Sequence, residues 1–224
     1  MVLPGRVVPG VVIPLIGAVF PFLFYLRSAA LTILAITVAL LTVSTYILFS
    51  FRDIRNAASE AALLFFGLLY IPYLLGYLVL LRNHPQGIGW IMVILLIVMS
   101  GDSAAYFIGC SFGKHKLYPA VSPNKSVEGA LAGLGGSVAG ALLGNFLFLQ
   151  DVSVFSVIIA ALLIGALGQV GDLFESLIKR SFGVKDSGAI IPGHGGILDR
   201  LDSILYAAPA AYYYALYVAG RLSF

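Results

Sequence analysis

The carboxylates are the residues of this sequence whose types and spacing could do chemistry. Asp172 and Glu175 stand three apart in Gly171-Asp172-Leu173-Phe174-Glu175-Ser176, and Asp199 and Asp202 repeat that spacing. Residues three apart share a face of a helix, so two helix ends can offer three or four carboxylates to one site. Hard oxygen donors without soft ones suit Mg²⁺, which keeps several waters and is completed by substrate phosphates. Asp172, Glu175, Asp199 and Asp202 are the candidates for that site. The simpler account pairs Asp199 with Arg200 or Lys185 and makes Asp202 a cap of the last helix. Asp102 differs because it lies inside an apolar run, in Ser100-Gly101-Asp102-Ser103. An isolated charge there is costly, so it should face a polar cavity and serve substrate or metal.

Between the two acidic pairs lie Lys179, Arg180 and Lys185, then the turn Pro192-Gly193-His194-Gly195-Gly196, then Arg200 beside Asp199. Glycines allow positive φ and close approach to a ligand, and the cations can neutralise phosphate oxygens. A triphosphate could be held this way. His194 either hydrogen-bonds a phosphate or holds the turn. A second basic segment lies between Cys110 and Ser126.

These groups need a scaffold, and the composition says which kind. Of 224 residues, 60% are hydrophobic and 10% charged, far from the roughly one quarter charged of soluble domains. An all-α, polytopic transmembrane helix bundle of about six to eight spans is expected. Seven apolar segments can be read, at about 8–26, 29–50, 58–81, 88–110, 127–149, 153–175 and 203–220. The first is the weakest, because Pro14 and Pro21 should kink or break it; it is read as part of the mature protein rather than a cleavable leader. No polar linker divides the chain, yet an organisation into N-terminal helices (1–86) and a catalytic membrane domain (87–224) is expected. The single cysteine, Cys110, excludes an internal disulfide, and no zinc spacing occurs. The net charge of +3 gives nucleic-acid binding no support.

With the N-terminus inside, one side would carry Arg6, Arg52, Arg55, Lys114, Lys116, Lys125, Lys179, Arg180, Lys185 and Arg200, against Arg27, Arg82 and Arg221. That asymmetry predicts that both basic segments face the cytoplasm. For Arg6, Arg52 and Arg55, fixing topology against anionic headgroups is a sufficient role.

The segment from Ser176 to Asp202 resembles the signature of the phosphatidate cytidylyltransferases, or CDP-diacylglycerol synthases. The resemblance rests on Ser176, Lys179, Arg180, Lys185, Asp186, Gly188, Pro192, His194, Gly195, Gly196, Asp199, Arg200 and Asp202. Gly101-Asp102-Ser103, Phe112-Gly113-Lys114-His115-Lys116-Leu117 and Ser122-Pro123-Asn124-Lys125-Ser126-Val127-Glu128-Gly129 are similar to the family's other nucleotide-site stretches. Val127 stands where an aromatic residue is expected, and relative to the family's usual longer N-terminal helical region the chain is expected either to be shortened there or to begin inside it. What the resemblance implies is attack by phosphatidic acid on the α-phosphorus of CTP, giving CDP-diacylglycerol and pyrophosphate at a multi-pass site on the cytoplasmic face of the inner cell membrane. It implies Mg²⁺ on Asp172, Asp199 and Asp202, and K⁺ as a candidate companion ion. Lys179, Arg180, Lys185, His194 and Arg200 would serve the phosphates. Ser122, Lys125, Asp102, Gly195 and Gly196 would bind substrate. Glu128 and Glu175 are read as supporting or capping residues, and a homodimer is compatible with the sequence.

Three rivals remain. A lipid-phosphate phosphatase would need two histidines, and none follows Asp202. An ion-coupled transporter would spread its charges along the bundle rather than gather them at one face. A cytidylyltransferase for an ether or isoprenoid lipid phosphate is not separated from the main reading, because acyl pockets are merely apolar.

Overall fold

The computed structural model describes residues 7–188 and 196–217, with side chains from Pro14 onward. His194, Gly195 and their neighbours in the glycine turn lie outside the described residues, as does Arg6. The chain divides into two compact units, Met1–Asn83 and His84–Phe224.

In the first unit α1 (Val7–Tyr25) and α2 (Ala29–Ser50) precede α3 (Ile54–Leu68), a π-helical turn (Leu69–Tyr73) and α4 (Leu74–Arg82). The helix starts are set by short polar side chains. Ser28 Oγ accepts from the N–H of Leu31 and Asp53 Oδ1 from that of Arg55, each filling an orphan donor of a first turn. The prolines expected to break the first helix lie inside a continuous one. Pro72 sits in the widened π turn, where the missing N–H is most easily tolerated. Phe20, Ala39, Val43, Ile47, Leu64 and Leu68 form the buried core of this unit.

The second unit carries the site. Helix α5 (Gly87–Phe112) leads into a short antiparallel hairpin of β1 (Lys116–Tyr118) and β2 (Ser122–Ser126), followed by α6 (Val127–Phe148), α7 (Val154–Ser181) and α8 (Leu198–Tyr217). Ser126 and Ser153 cap α6 and α7. The α5–α6 contact is close enough to require glycine: a Cβ on Gly140 would lie 2.4 Å from the Leu96 carbonyl oxygen. At the end of the unit away from the hairpin, Tyr214 OH donates to the Ser156 carbonyl at 2.8 Å, and buried Asn145 Nδ2 donates to the carbonyls of Leu149 and Val152. These bonds tie helix ends and a loop together where backbone groups would otherwise be unsatisfied.

The molecule is thus a polytopic all-α membrane protein. Among the described residues, five helical stretches are long and apolar enough to cross a bilayer: Ala29–Ser50, Ile54–Arg82, Gly87–Phe112, Val127–Phe148 and Val154–Ser181. The last helix, expected as a span from 203, begins at Leu198; Asp199, Arg200 and Asp202 in its first turns and its many tyrosines keep it outside that set. Helix α7 continues to Ser181, six residues past the end expected for its span at 175. Lys179 and Arg180, expected in a loop, therefore project from an α-helix.

Candidate active site

Four polar residues of α7 fall on one face. Gln169, Asp172, Glu175 and Lys179 follow one another at three- and four-residue steps, the spacing of a single helical stripe. Each meets a partner from another element or turn. Gln169 Nε2 donates to the Ala130 carbonyl of α6 at 3.0 Å. Asp172 pairs with Lys125 of β2. Glu175, 1% exposed, pairs with Lys179 one turn on, and Lys179 Nζ also reaches Asp199 Oδ1 of α8 at 2.7 Å.

Close packing makes this possible at Gly171, where a Cβ would fall 2.7 Å from the Asp202 carbonyl oxygen and 3.0 Å from Cβ of Tyr206. Only a residue without a side chain lets α8 pass so near α7 one residue before Asp172.

Asp199 and Asp202, grouped by spacing, occupy different surroundings. Asp199 is a hub: besides Lys179 it accepts from the Ser187 N–H at 2.9 Å, the Ser187 hydroxyl at 2.8 Å and the Gly196 N–H at 2.7 Å. Partial burial alone would raise its pKa. The bonds from Lys179, Gly196 and Ser187 outweigh burial and hold the carboxyl well below the ordinary range. Its partner is Lys179, rather than the Arg200 or Lys185 of the simpler sequence account. Asp202 instead lies within electrostatic range of Asp172, Glu175 and Asp102, and accepts from the Ser203 N–H at 2.6 Å. Asp102 is acted on by the charges of Asp172 and Lys125. It also lines a small cavity with Gly101, Ser137, Gln169 and Ser203 where the four helices meet, the polar surroundings its place in an apolar run requires.

The other sequence candidates among the described residues lie on the hairpin, the end of α7, the following loop and the start of α8. Ser122 opens β2 and pairs with Tyr118 across the hairpin. Arg180 is exposed and donates to the Val184 carbonyl at 3.2 Å. Lys185 and Arg200 are exposed on the loop and on α8. Gly196 contributes its N–H to Asp199. Sequence reasoning left the Glu175–Lys179 pair and the hairpin unread. The polar stripe on α7 was the available signal for the first, and Pro123 and Asn124 obscured the second.

The cluster therefore sets carboxylates from three helices against two lysines. Among the described residues no three His, Cys, Asp or Glu side chains converge at metal-binding distance. The donor set fits Mg²⁺ in the form that ion usually takes, with one or two carboxylates and the remaining positions given to phosphate oxygens and water.

The family model described as the cytidylyltransferase family matches residues 5–218. The chain belongs to this family. Among curated relatives, the phosphatidate cytidylyltransferase of Staphylococcus saprophyticus is 39% identical over 155 residues, 69% of this chain and 59% of that protein. The phosphatidate cytidylyltransferase of Bacillus subtilis is 41% identical over 146 residues, 65% of this chain and 54% of that protein. The chain thus spans less than two thirds of the length of the curated relatives it matches.

Proposed function

We propose that this chain transfers the cytidylyl group of CTP to phosphatidic acid, forming CDP-diacylglycerol and pyrophosphate. One observation carries the reading: in a member of the cytidylyltransferase family, α7 and α8 set Asp172 beside Asp202, while Lys125 and Lys179 enter the same cluster. A phosphate oxygen of the lipid bonds to the α-phosphorus as the α–β bridging bond breaks, and the electron pair leaves with pyrophosphate. The attacking phosphate monoester is already largely anionic near neutral pH, so positioning and charge neutralisation supply the catalysis rather than a strong base.

Asp172 and Asp202 would hold Mg²⁺, which would supply neutralisation of the triphosphate and orientation of the leaving group. Asp199 would be the third ligand, and K⁺ is the candidate companion ion. Lys125 and Ser122 approach the nucleotide from the hairpin. Lys179, Arg180, Lys185, His194 and Arg200 share the phosphates of CTP and lipid, and Gly195 and Gly196 bind substrate. Asp102 orients substrate from α5. Residues 87–224 form the catalytic part and 1–86 the supporting helices. The site faces the cytoplasm of the inner membrane, where CTP arrives from water while acyl chains stay in lipid. The same fold is compatible with a homodimer.

The test is transfer of label from CTP marked at the α-phosphate into phosphatidic acid in mixed micelles with Mg²⁺. Wild type labels lipid, while Asp202→Asn and Asp199→Asn do not. Folded wild-type protein that labels no lipid with any divalent ion refutes the reading and returns ion-coupled transport to consideration.

A further inference from the structure

Lys125 reaches Asp172 only if the hairpin is held in place, and the hairpin is short: two paired positions, Lys116 with Ser126 and Tyr118 with Ser122, with an irregularity between them. So brief a ribbon is marginal alone. What fixes it is a carboxylate outside the cluster.

Glu128, in the first turn of α6, reaches back to the segment that leaves α5. Its Oε2 accepts from the N–H of Lys114 at 3.2 Å and from that of His115 at 3.2 Å, while the His115 ring Nδ1 meets Oε1 at 2.6 Å. The backbone closes the same seam, because the Val127 N–H donates to the His115 carbonyl at 2.9 Å. Buried Ser126 caps α6 through the Gly129 N–H at 3.1 Å. Entry to and exit from the hairpin are thus clasped at one side chain. A carboxylate suits the role because it offers two oxygens and about four acceptor directions, and because bonds to an ionised acceptor are the stronger ones.

We propose that Glu128 is the positioning residue of this site, a clasp that fixes both ends of the segment carrying Ser122 and Lys125 toward Asp172. It touches no reacting atom in this role. A carboxylate that served only the helix dipole would leave the Lys114 and His115 amides indifferent to its loss, so the two roles separate by measurement. The kinetic half rests on the cytidylyl-transfer reading; the structural half does not.

The experiment compares full-length wild type, Glu128→Ala, Glu128→Gln and His115→Ala in detergent micelles. Amide hydrogen exchange is followed over residues 113–126, with the mid-helix stretch 157–164 of α7 as internal reference. Apparent KM values for CTP and phosphatidic acid are measured beside it. In Glu128→Ala, exchange at Lys114 and His115 rises about tenfold or more while the α7 reference stays fixed. The CTP KM rises about ten- to a hundredfold, and the lipid KM stays within about twofold. Glu128→Gln, which keeps one acceptor oxygen, falls between Ala and wild type. His115→Ala is milder than Glu128→Ala, because both backbone donors remain. If Glu128→Ala does not fold, Glu128→Gln carries both readouts with the same expected direction. Unchanged exchange over 113–126, or a lower kcat with unchanged CTP KM, overturns the proposal. Wild type that transfers no label refutes the function instead, and the exchange result still decides the clasp.

Discussion

Lys179→Met tests the electrostatic logic of the site most directly. Lys179 serves Glu175, which is 1% exposed, and Asp199 at 2.7 Å. At that separation and an effective dielectric constant of about 20, the attraction to Asp199 alone is about 6 kcal/mol. Desolvation of the ions offsets part of this, and deleting one partner of a buried pair usually costs about 3–5 kcal/mol because it strands the other. Asp199 can fall back on Ser187 and Gly196, so the loss should centre on Glu175. On the scaling for a chain of this size, about 3 kcal/mol lowers the melting temperature by roughly 6–12 °C. Glu175→Leu in the Lys179→Met background removes the stranded charge, and at least about half of the lost stability should return, since apolar replacement of a buried pair is often neutral. Transfer activity stays absent in both variants. Thermal unfolding in one detergent, followed by tryptophan fluorescence of Trp90, reads the series. A single variant melting with wild type, or a double variant no more stable than the single, refutes the assignment of Lys179 as the counter-ion of Glu175.

Three further outcomes follow from other parts of the fold. Gly171→Ala puts a methyl 2.7 Å from the Asp202 carbonyl oxygen, and displacing α8 by a fraction of an ångström should slow label transfer about ten- to a hundredfold; Gly135→Ala, with open space at its Cβ, serves as the control with wild-type rate. Asn145→Leu strands the carbonyls of Leu149 and Val152 and should cost about 1–3 kcal/mol in denaturant unfolding while leaving the CTP KM unchanged. Asp199 has a folded-state pKa below its unfolded value, so its contribution to stability is complete above about pH 4 and is lost as the pH falls through the folded value. Unfolding of wild type and Asp199→Asn compared between pH 7 and acid should therefore show a gap that narrows only below about pH 4.

The fold was legible where one physical signal dominates. Long apolar runs specify membrane helices because a bilayer leaves the backbone no other way to satisfy itself, and the expected 29–50, 88–110 and 127–149 lie within two residues of α2, α5 and α6. Expectation and structure part where two signals compete. Hydropathy ends the sixth span near 175, because Lys179 and Arg180 belong in water. Helix propensity and the packing of α8 carry α7 on to Ser181. The pairing of site residues depends on that extension. Once α7 is helical to its end, Asp172, Glu175 and Lys179 form a stripe that must meet something polar, and among the described residues the start of α8 and the hairpin bring charges to it. Spacing alone placed Asp199 beside Asp202, which is true of the helix face. It could not show that Lys179, Ser187 and Gly196 occupy Asp199, while Asp202 answers to Asp172 and Asp102. Residue type identifies a carboxylate, but which charge it meets is fixed by a partner twenty residues away for Asp199 and forty-seven for Asp172. That information is tertiary, and a stripe of polar residues on an apolar helix is the most a single sequence can offer in its place.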